Sequence, residues 1–201
     1  RLGPMDGLYT PRRRGRLGAR YRWVGGLRSL VLGLILGLVP IATDPAHAQA
    51  QPVDLALVLA VDASSSVSTE EFDLQILGLA EAFRNPMVIE AIHAAGDLGI
   101  AVSLMQWSDS RKQMVAVGWT AVRDEATARA LADAIEATPR FLIGGGTAIG
   151  GALAYAMRQF DDNGFEGRRK VIDISGDGRT NQGPQPADMR DIAVGIGITI
   201  N

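Results

Sequence analysis

The sequence predicts an α/β fold: a doubly wound, mostly parallel sheet with helices on both faces. Three observations lead there. Val53 to Val61 is an almost unbroken apolar run, the pattern of a central parallel strand buried on both faces. Strand-like and helix-like periods alternate after it. Polar or glycine-rich segments follow the strands, where such sheets place their ligands.

The elements follow in order. After the 53–61 strand, Ser68-Thr69-Glu70-Glu71 is a capping box that opens a helix with Phe72, Ile76, Leu79 and Phe83 on one face. Asn85-Pro86 ends that helix, since the residue before proline disfavours the helical region. Ile100 to Gln106 is the second strand and Gln113 to Trp119 the third. The short link through Ser108-Asp109-Ser110 favours an antiparallel hairpin between them. Asp124 caps a helix carrying Ala128, Leu131 and Ile135. Gly144-Gly145-Gly146 is a backbone-dense loop leading into a helix with Ile149, Leu153, Met157 and Phe160. Arg169 to Ser175 is the fourth strand. A loop rich in Gly and Pro and a short helix around Met189 and Ile192 lead to a fifth, Ile196 to Ile200.

Composition narrows the chemistry. Of 201 residues 47% are hydrophobic and only 5% aromatic, which calls for an aliphatic core. There is no Cys, so disulfides, thiolate metal sites and Cys nucleophiles are excluded, and only His47 and His93 are present. Residues 1–48 hold eight Arg and two Asp, which leaves 12 basic against 20 acidic residues, a net of −8, for 49–201. An acidic body argues against a nucleic-acid surface and suits a cation.

The first 48 residues read as an address. A basic stretch from Arg12 to Arg28, an apolar run from Leu30 to Val39 and Ala46-His47-Ala48 follow the order of a secretory signal peptide cut after Ala48. The apolar run is shorter than the roughly 20 residues a spanning helix needs. The chain is therefore expected to be exported to the periplasm or beyond, with residues 49–201 as the working domain. Membrane contact is expected only through this segment, if it stays uncleaved.

The chemistry concentrates in three segments. Asp62, Ser64 and Ser66 alternate just after the first strand, Thr147 follows the glycine triplet, and Asp177 follows the fourth strand. Under the α/β reading all three reach one sheet edge. Two carboxylates and three hydroxyls form an all-oxygen set suited to Mg²⁺, Mn²⁺ or Ca²⁺ rather than zinc. Taken singly, each has an ordinary reading: Asp62 to Ser66 as a polar turn, Thr147 as a helix cap, Asp177-Gly178 as a turn.

With these five residues the sequence resembles the von Willebrand factor A superfamily, whose metal-ion-dependent adhesion site has the same Asp-x-Ser-x-Ser, Thr and Asp. The resemblance runs from about Val53 to the end. It implies that Ser64, Ser66 and Thr147 ligate the ion directly, that Asp62 and Asp177 act partly through water, and that a protein partner's acidic side chain completes the coordination. Ser175-Gly176-Asp177-Gly178, Asn181-Gln182-Gly183 and the ending Gly197 to Asn201 also resemble an uncharacterised family of bacterial secreted proteins with this fold. The superfamily sheet usually has six strands, so the resemblance implies a domain cut short after the fifth.

Other residues receive plainer roles. Asp173 is expected inside its strand or on its opposite face, and Asp109 solvated in its hairpin. Trp107 and Trp119 are expected to pack, and His93 to be structural. No Gly-x-Ser-x-Gly elbow or Gly-Lys-Ser/Thr loop occurs. Asp62 lacks the second Asp of haloacid-dehalogenase-like phosphatases, and Lys112 and Lys170 are expected away from it. The expected function is thus a divalent-cation-dependent protein-binding module of the envelope, not an enzyme. The alternatives are a structural domain with a non-adhesive ion and, more remotely, a Mg²⁺-dependent hydrolase.

Overall fold

The computed structural model describes residues 49–201. The expected leader and its cleavage after Ala48 lie outside the described residues. In chain order the elements are β1 (Gln51–Asp62), α1 (Thr69–Arg84), α2 (Pro86–Ala95), β2 (Ile100–Trp107), β3 (Gln113–Val122), α3 (Glu125–Glu136), α4 (Ile149–Arg158), β4 (Phe165–Ser175), α5 (Pro186–Gly195) and β5 (Ile198–Ile200). The sheet order is β3-β2-β1-β4-β5. All pairs are parallel except β2 with β3, the expected hairpin.

Alternation along β1 splits the core in two. Leu59 and Val61 face α1, α2 and α3 with Phe72, Ile76, Val102, Leu104, Leu131 and Ile135. Ala56, Val58 and Ala60 face α4 and α5 with Met105, Trp107, Leu153, Ile172 and Ile198. The small alanines on that second face let α4, itself lined by Gly150, Ala152 and Ala156, lie close to the sheet. β1 thus has no solvent side, which is why it reads as continuous hydrophobicity rather than alternation.

The helix signals fold as written. Ser68 accepts the Glu71 N–H while Glu71 accepts the Ser68 N–H. Asn85 both closes α1 and caps α2, its side chain accepting from Met87 N ahead of Pro86. Asp124 caps α3 through Thr127. Strand ends move more: β3 runs on to Val122, and β4 starts at Phe165 because the polar stretch Glu166 to Lys170 pairs with β1. β5 shrinks to Ile198–Ile200, since Ile196 still belongs to the turn closing α5.

β1 is the branch point. Its onward connection leads to β2 on one side, while β4 lies on the other. The loops after β1 and β4 therefore diverge from neighbouring strand ends, with Val61 in register with Ser175 and Asp62 with Trp107. This is the topological switch point at which open α/β sheets bind ligands.

Candidate metal centre

Three loops meet at that edge and are tied to one another pairwise. The loop after β1 reaches the glycine loop through Ser65, whose Oγ donates to Gly145 O at 2.7 Å and whose N–H donates to the same carbonyl at 3.2 Å. It reaches the loop after β4 through Ser66, whose Oγ donates to Asp177 Oδ1 at 2.9 Å. The remaining pair is closed by Asn181. Its N–H donates to Thr147 O and its Oδ1 accepts from Thr147 N, both at 2.9 Å.

Asp62, Ser64, Ser66 and Asp177 thus lie in one cluster. Ser64 Oγ and Ser66 Oγ are 3.1 Å apart. The Ser64 N–H donates to Asp62 Oδ1 at 2.7 Å, an Asx-type turn that aims the carboxylate back over its own loop. Thr147 is buried, and its Oγ1 faces Gly178 in the loop that carries Asp177. Thr147 is not the cap of α4: Ala148 holds that position, without any side-chain bond. The Thr147 hydroxyl is thereby left for the site.

Glycines make room for the convergence. Gly144 and Gly145 have φ of +65° and +112°. A Cβ on Gly145 would strike Ser108 Oγ, and one on Gly146 would strike Gln182 and Asn181. A Cβ on Gly176 would stand 3.2 Å from Asp62 Oδ2. The triplet therefore serves close approach between loops.

The electrostatics centre on Asp62. It is fully buried, and its Oδ2 has no hydrogen-bond partner. Burial pushes its carboxyl pKa above the ordinary value; the Ser64 N–H works against that rise and the like charge of Asp177 adds to it. An orphaned, buried carboxylate oxygen beside a second carboxylate and three hydroxyls is a donor set that fits a hard divalent cation. It would relieve both the desolvation and the repulsion.

Around this cluster several residues depart from expectation. Asp109 is not simply solvated: Oδ1 accepts from Arg111 N, Oδ2 lies 3.5 Å from Lys112 Nζ, and the side chain packs against Gly145. Lys112 extends from the same hairpin, its Nζ reaching the carbonyls of Ile143 and Gly144. Asp173 is exposed, on a cleft of about 240 Å³ between α1 and β4 that also includes Leu74, Gln75, Gly78 and Ser175. Trp107 and Trp119 pack as expected, their N–H groups donating to Ala60 O and Gln159 O. His93 bonds Arg123 O next to the end of β3, at the opposite edge of the sheet from Asp62.

Sequence reasoning missed two supports. Gln106, fully buried, accepts from Phe141 N and Leu142 N and donates to Pro139 O. Arg140 donates from Nη2 to Ala63 O at 3.0 Å and Ser64 O at 2.8 Å. No local signal marks either one, because their partners are distant in sequence.

Comparison with known proteins bears on the fold. Residues 52–201 match the profile of a family described as "Protein of unknown function (DUF1194)". No curated protein matches the chain. Among solved structures the fold is similar to proximal thread matrix protein 1 of the mussel byssus, at 18% identity and TM-score 0.53, over 75% of this chain and 37% of that one. A form of that protein described with a zinc-occupied MIDAS motif matches at 21% and 0.50, over 76% and 36%. Von Willebrand factor type A from Catenulispora acidiphila matches at 19% and 0.50, over 74% and 32%. The chain thus spans less than two fifths of the length of each, and what they share with it is the von Willebrand factor A fold.

Proposed function

The chain belongs to the DUF1194 family, with a von Willebrand factor A-type fold, and from that premise we propose that it is a divalent-cation-dependent protein-binding module of the cell envelope. Asp62, Ser64, Ser66, Thr147 and Asp177 hold one cation, and an acidic side chain of a protein partner completes its coordination. The observation that carries this reading is the buried Asp62 Oδ2, left without any partner in a loop network otherwise closely bonded. A native fold rarely leaves a charged oxygen orphaned unless something binds there.

The all-oxygen donors favour Mg²⁺, Mn²⁺ or Ca²⁺. The mussel protein's MIDAS motif is described with zinc, so zinc belongs in the same titration as a competitor. The basic, apolar and Ala-x-Ala order of residues 12–48 supports export. Among the described residues no helix is long and apolar enough to cross a membrane. The role is non-catalytic: His93, the one histidine of the described residues, lies at the far edge of the sheet and offers the serines no base.

The test is retention of envelope proteins by the immobilised full chain, in Mg²⁺ and in chelator, beside Asp177→Ala. Retention that needs both Mg²⁺ and Asp177 supports the reading. Metal and partner should also tighten each other's binding reciprocally. Metal binding that no acidic partner enhances would instead mark an ion that only stabilises the loops.

A further inference from the structure

We propose that Arg140 is a positioning residue for this site, holding the ligands Asp62 and Ser64 from behind without touching the ion; the inference rests on the cation reading above. Ala63 and Ser64 are fully buried, so their carbonyls need donors. Arg140 Nη2 supplies one to each. These carbonyls belong to the two peptide units that flank the Ser64 Cα, and the first of these units also carries the Ser64 N–H that bonds Asp62 Oδ1. Their orientation sets where both ligands point.

Arg140 is itself held on three sides. Its Nε donates to Leu142 O at 3.2 Å, and its guanidinium lies 5.4 Å from the Phe72 ring centre on α1. The backbone that carries it is clamped to the end of β2 by Gln106, through Pro139 O, Phe141 N and Leu142 N. A continuous chain of bonds therefore runs from β2 through Gln106, the 139–142 backbone and Arg140 to the loop after β1. The planar, forked guanidinium suits this task, because it bonds Leu142 O and the two loop carbonyls at once while remaining charged. The positive charge of a guanidinium would by itself weaken cation binding, so a bracing role and a purely electrostatic one predict opposite signs.

The experiment is calorimetric titration of Mn²⁺ into the full chain, its Arg140→Gln and its Arg140→Lys, with thermal melts in Mn²⁺ and in EDTA. Loss of a support behind a metal ligand costs on the order of 10–100-fold in affinity. Arg140→Gln is expected in that range, and the rise in melting temperature that Mn²⁺ gives should shrink with it. Arg140→Lys should lose less, since its ammonium keeps part of the bonding although it cannot hold all three carbonyls at once. Should Arg140→Gln not fold, the lysine variant decides alone. Wild-type or tighter Mn²⁺ affinity in either variant, or a melting loss equal in Mn²⁺ and EDTA, overturns the proposal and leaves Arg140 a fold-stabilising residue. Absence of Mn²⁺ binding by the wild-type chain would instead defeat the cation reading, and this inference with it.

Discussion

Asp54 and Asp62 lie near opposite ends of β1, on the same face of the strand, and both are buried. Their surroundings differ in one respect. At the amino edge, Asp54 Oδ2 accepts from Leu98 N at 2.7 Å and Oδ1 from Arg168 Nη1 at 2.8 Å, so each oxygen is bonded. At the carboxyl edge, Asp62 Oδ1 accepts from Ser64 N while Oδ2 has nothing. Burial alone does not mark a functional carboxylate. Asp54 is a closed joint that ties the loop before β2 to β1 and β4, whereas Asp62 is left open toward a second carboxylate and a group of hydroxyls.

The largest expected effect tests that openness. With Mn²⁺ at 100 times its Kd, the wild-type chain should gain about 2.7 kcal/mol of stability by linkage. Asp62→Asn should lose this gain. In EDTA the same variant should melt no lower than wild type, because it removes a buried charge that nothing compensates. Melts of both proteins in both buffers measure it. A fall in EDTA as large as that of an Asp54 variant would erase the distinction between the two ends.

Next in size is the converse. Asp54→Ala strands the Leu98 N–H and should cost about 2 kcal/mol. Arg168 is largely exposed, so its loss of a partner adds little. The cost should be the same with Mn²⁺ and with EDTA. A metal-dependent cost would mean that the two edges communicate along β1.

Much of the fold was legible in the sequence, and the part that was not has a physical cause. Local devices read directly: the Ser68-Glu71 capping box, the Asn85-Pro86 break, the Asp124 cap and the hairpin between β2 and β3 each depend on a few neighbouring residues. The alternation of elements brought Asp62, Ser64, Ser66, Thr147 and Asp177 to one edge. Strand ends were less legible, because Glu166 to Lys170 is polar and joins the sheet only through pairing with β1. Asp109 was misjudged because contact with the glycine loop depends on how hairpin and loop pack. Gln106 and Arg140 could not be found, since each acts on backbone more than 30 residues away. Asp54 sits within an apolar run, and no pattern distinguishes a bonded carboxylate from an orphaned one.

A third, smaller effect comes from a glycine at each edge. Gly96 has φ +148°, and a Cβ there would strike the Asp54 carboxylate. Gly145 has φ +112°, and a Cβ there would strike Ser108 Oγ. Alanine at either position should cost about 1–2 kcal/mol for the unfavourable backbone. Only Gly145→Ala should also weaken Mn²⁺, because Gly145 O accepts both bonds from Ser65. Equal Mn²⁺ affinity in the two variants would show that the glycine loop does not shape the site.

The smallest effect concerns the two helix caps, again one per edge. Glu71 opens α1 beside the metal loops and Asp124 opens α3 at the amino edge. Both carboxyl pKa values lie below their ordinary range, Glu71 through the Ser68 N–H and hydroxyl, Asp124 through the Thr127 N–H and hydroxyl. A folded-state pKa below the unfolded value means that the unfolded chain binds the proton more readily. Each group therefore contributes stability above its unfolded pKa, near pH 4, and loses it as pH falls through the lower folded value. Both side chains are exposed, so solvent screens the effect and a shift of only a degree or so in melting temperature is expected. Glu71→Gln and Asp124→Asn should each melt slightly lower than wild type at neutral pH, and the difference should close as pH drops from about 5 to about 2. In EDTA the two variants should behave alike. In Mn²⁺ at neutral pH only Glu71→Gln should also reduce the metal's stabilising effect, because the α1 cap directly follows the loop that carries Ser64 and Ser66. A pH-independent difference from wild type would mean that these caps act by hydrogen bonding irrespective of charge; an Asp124→Asn effect on Mn²⁺ would show that the two edges of the sheet are not independent.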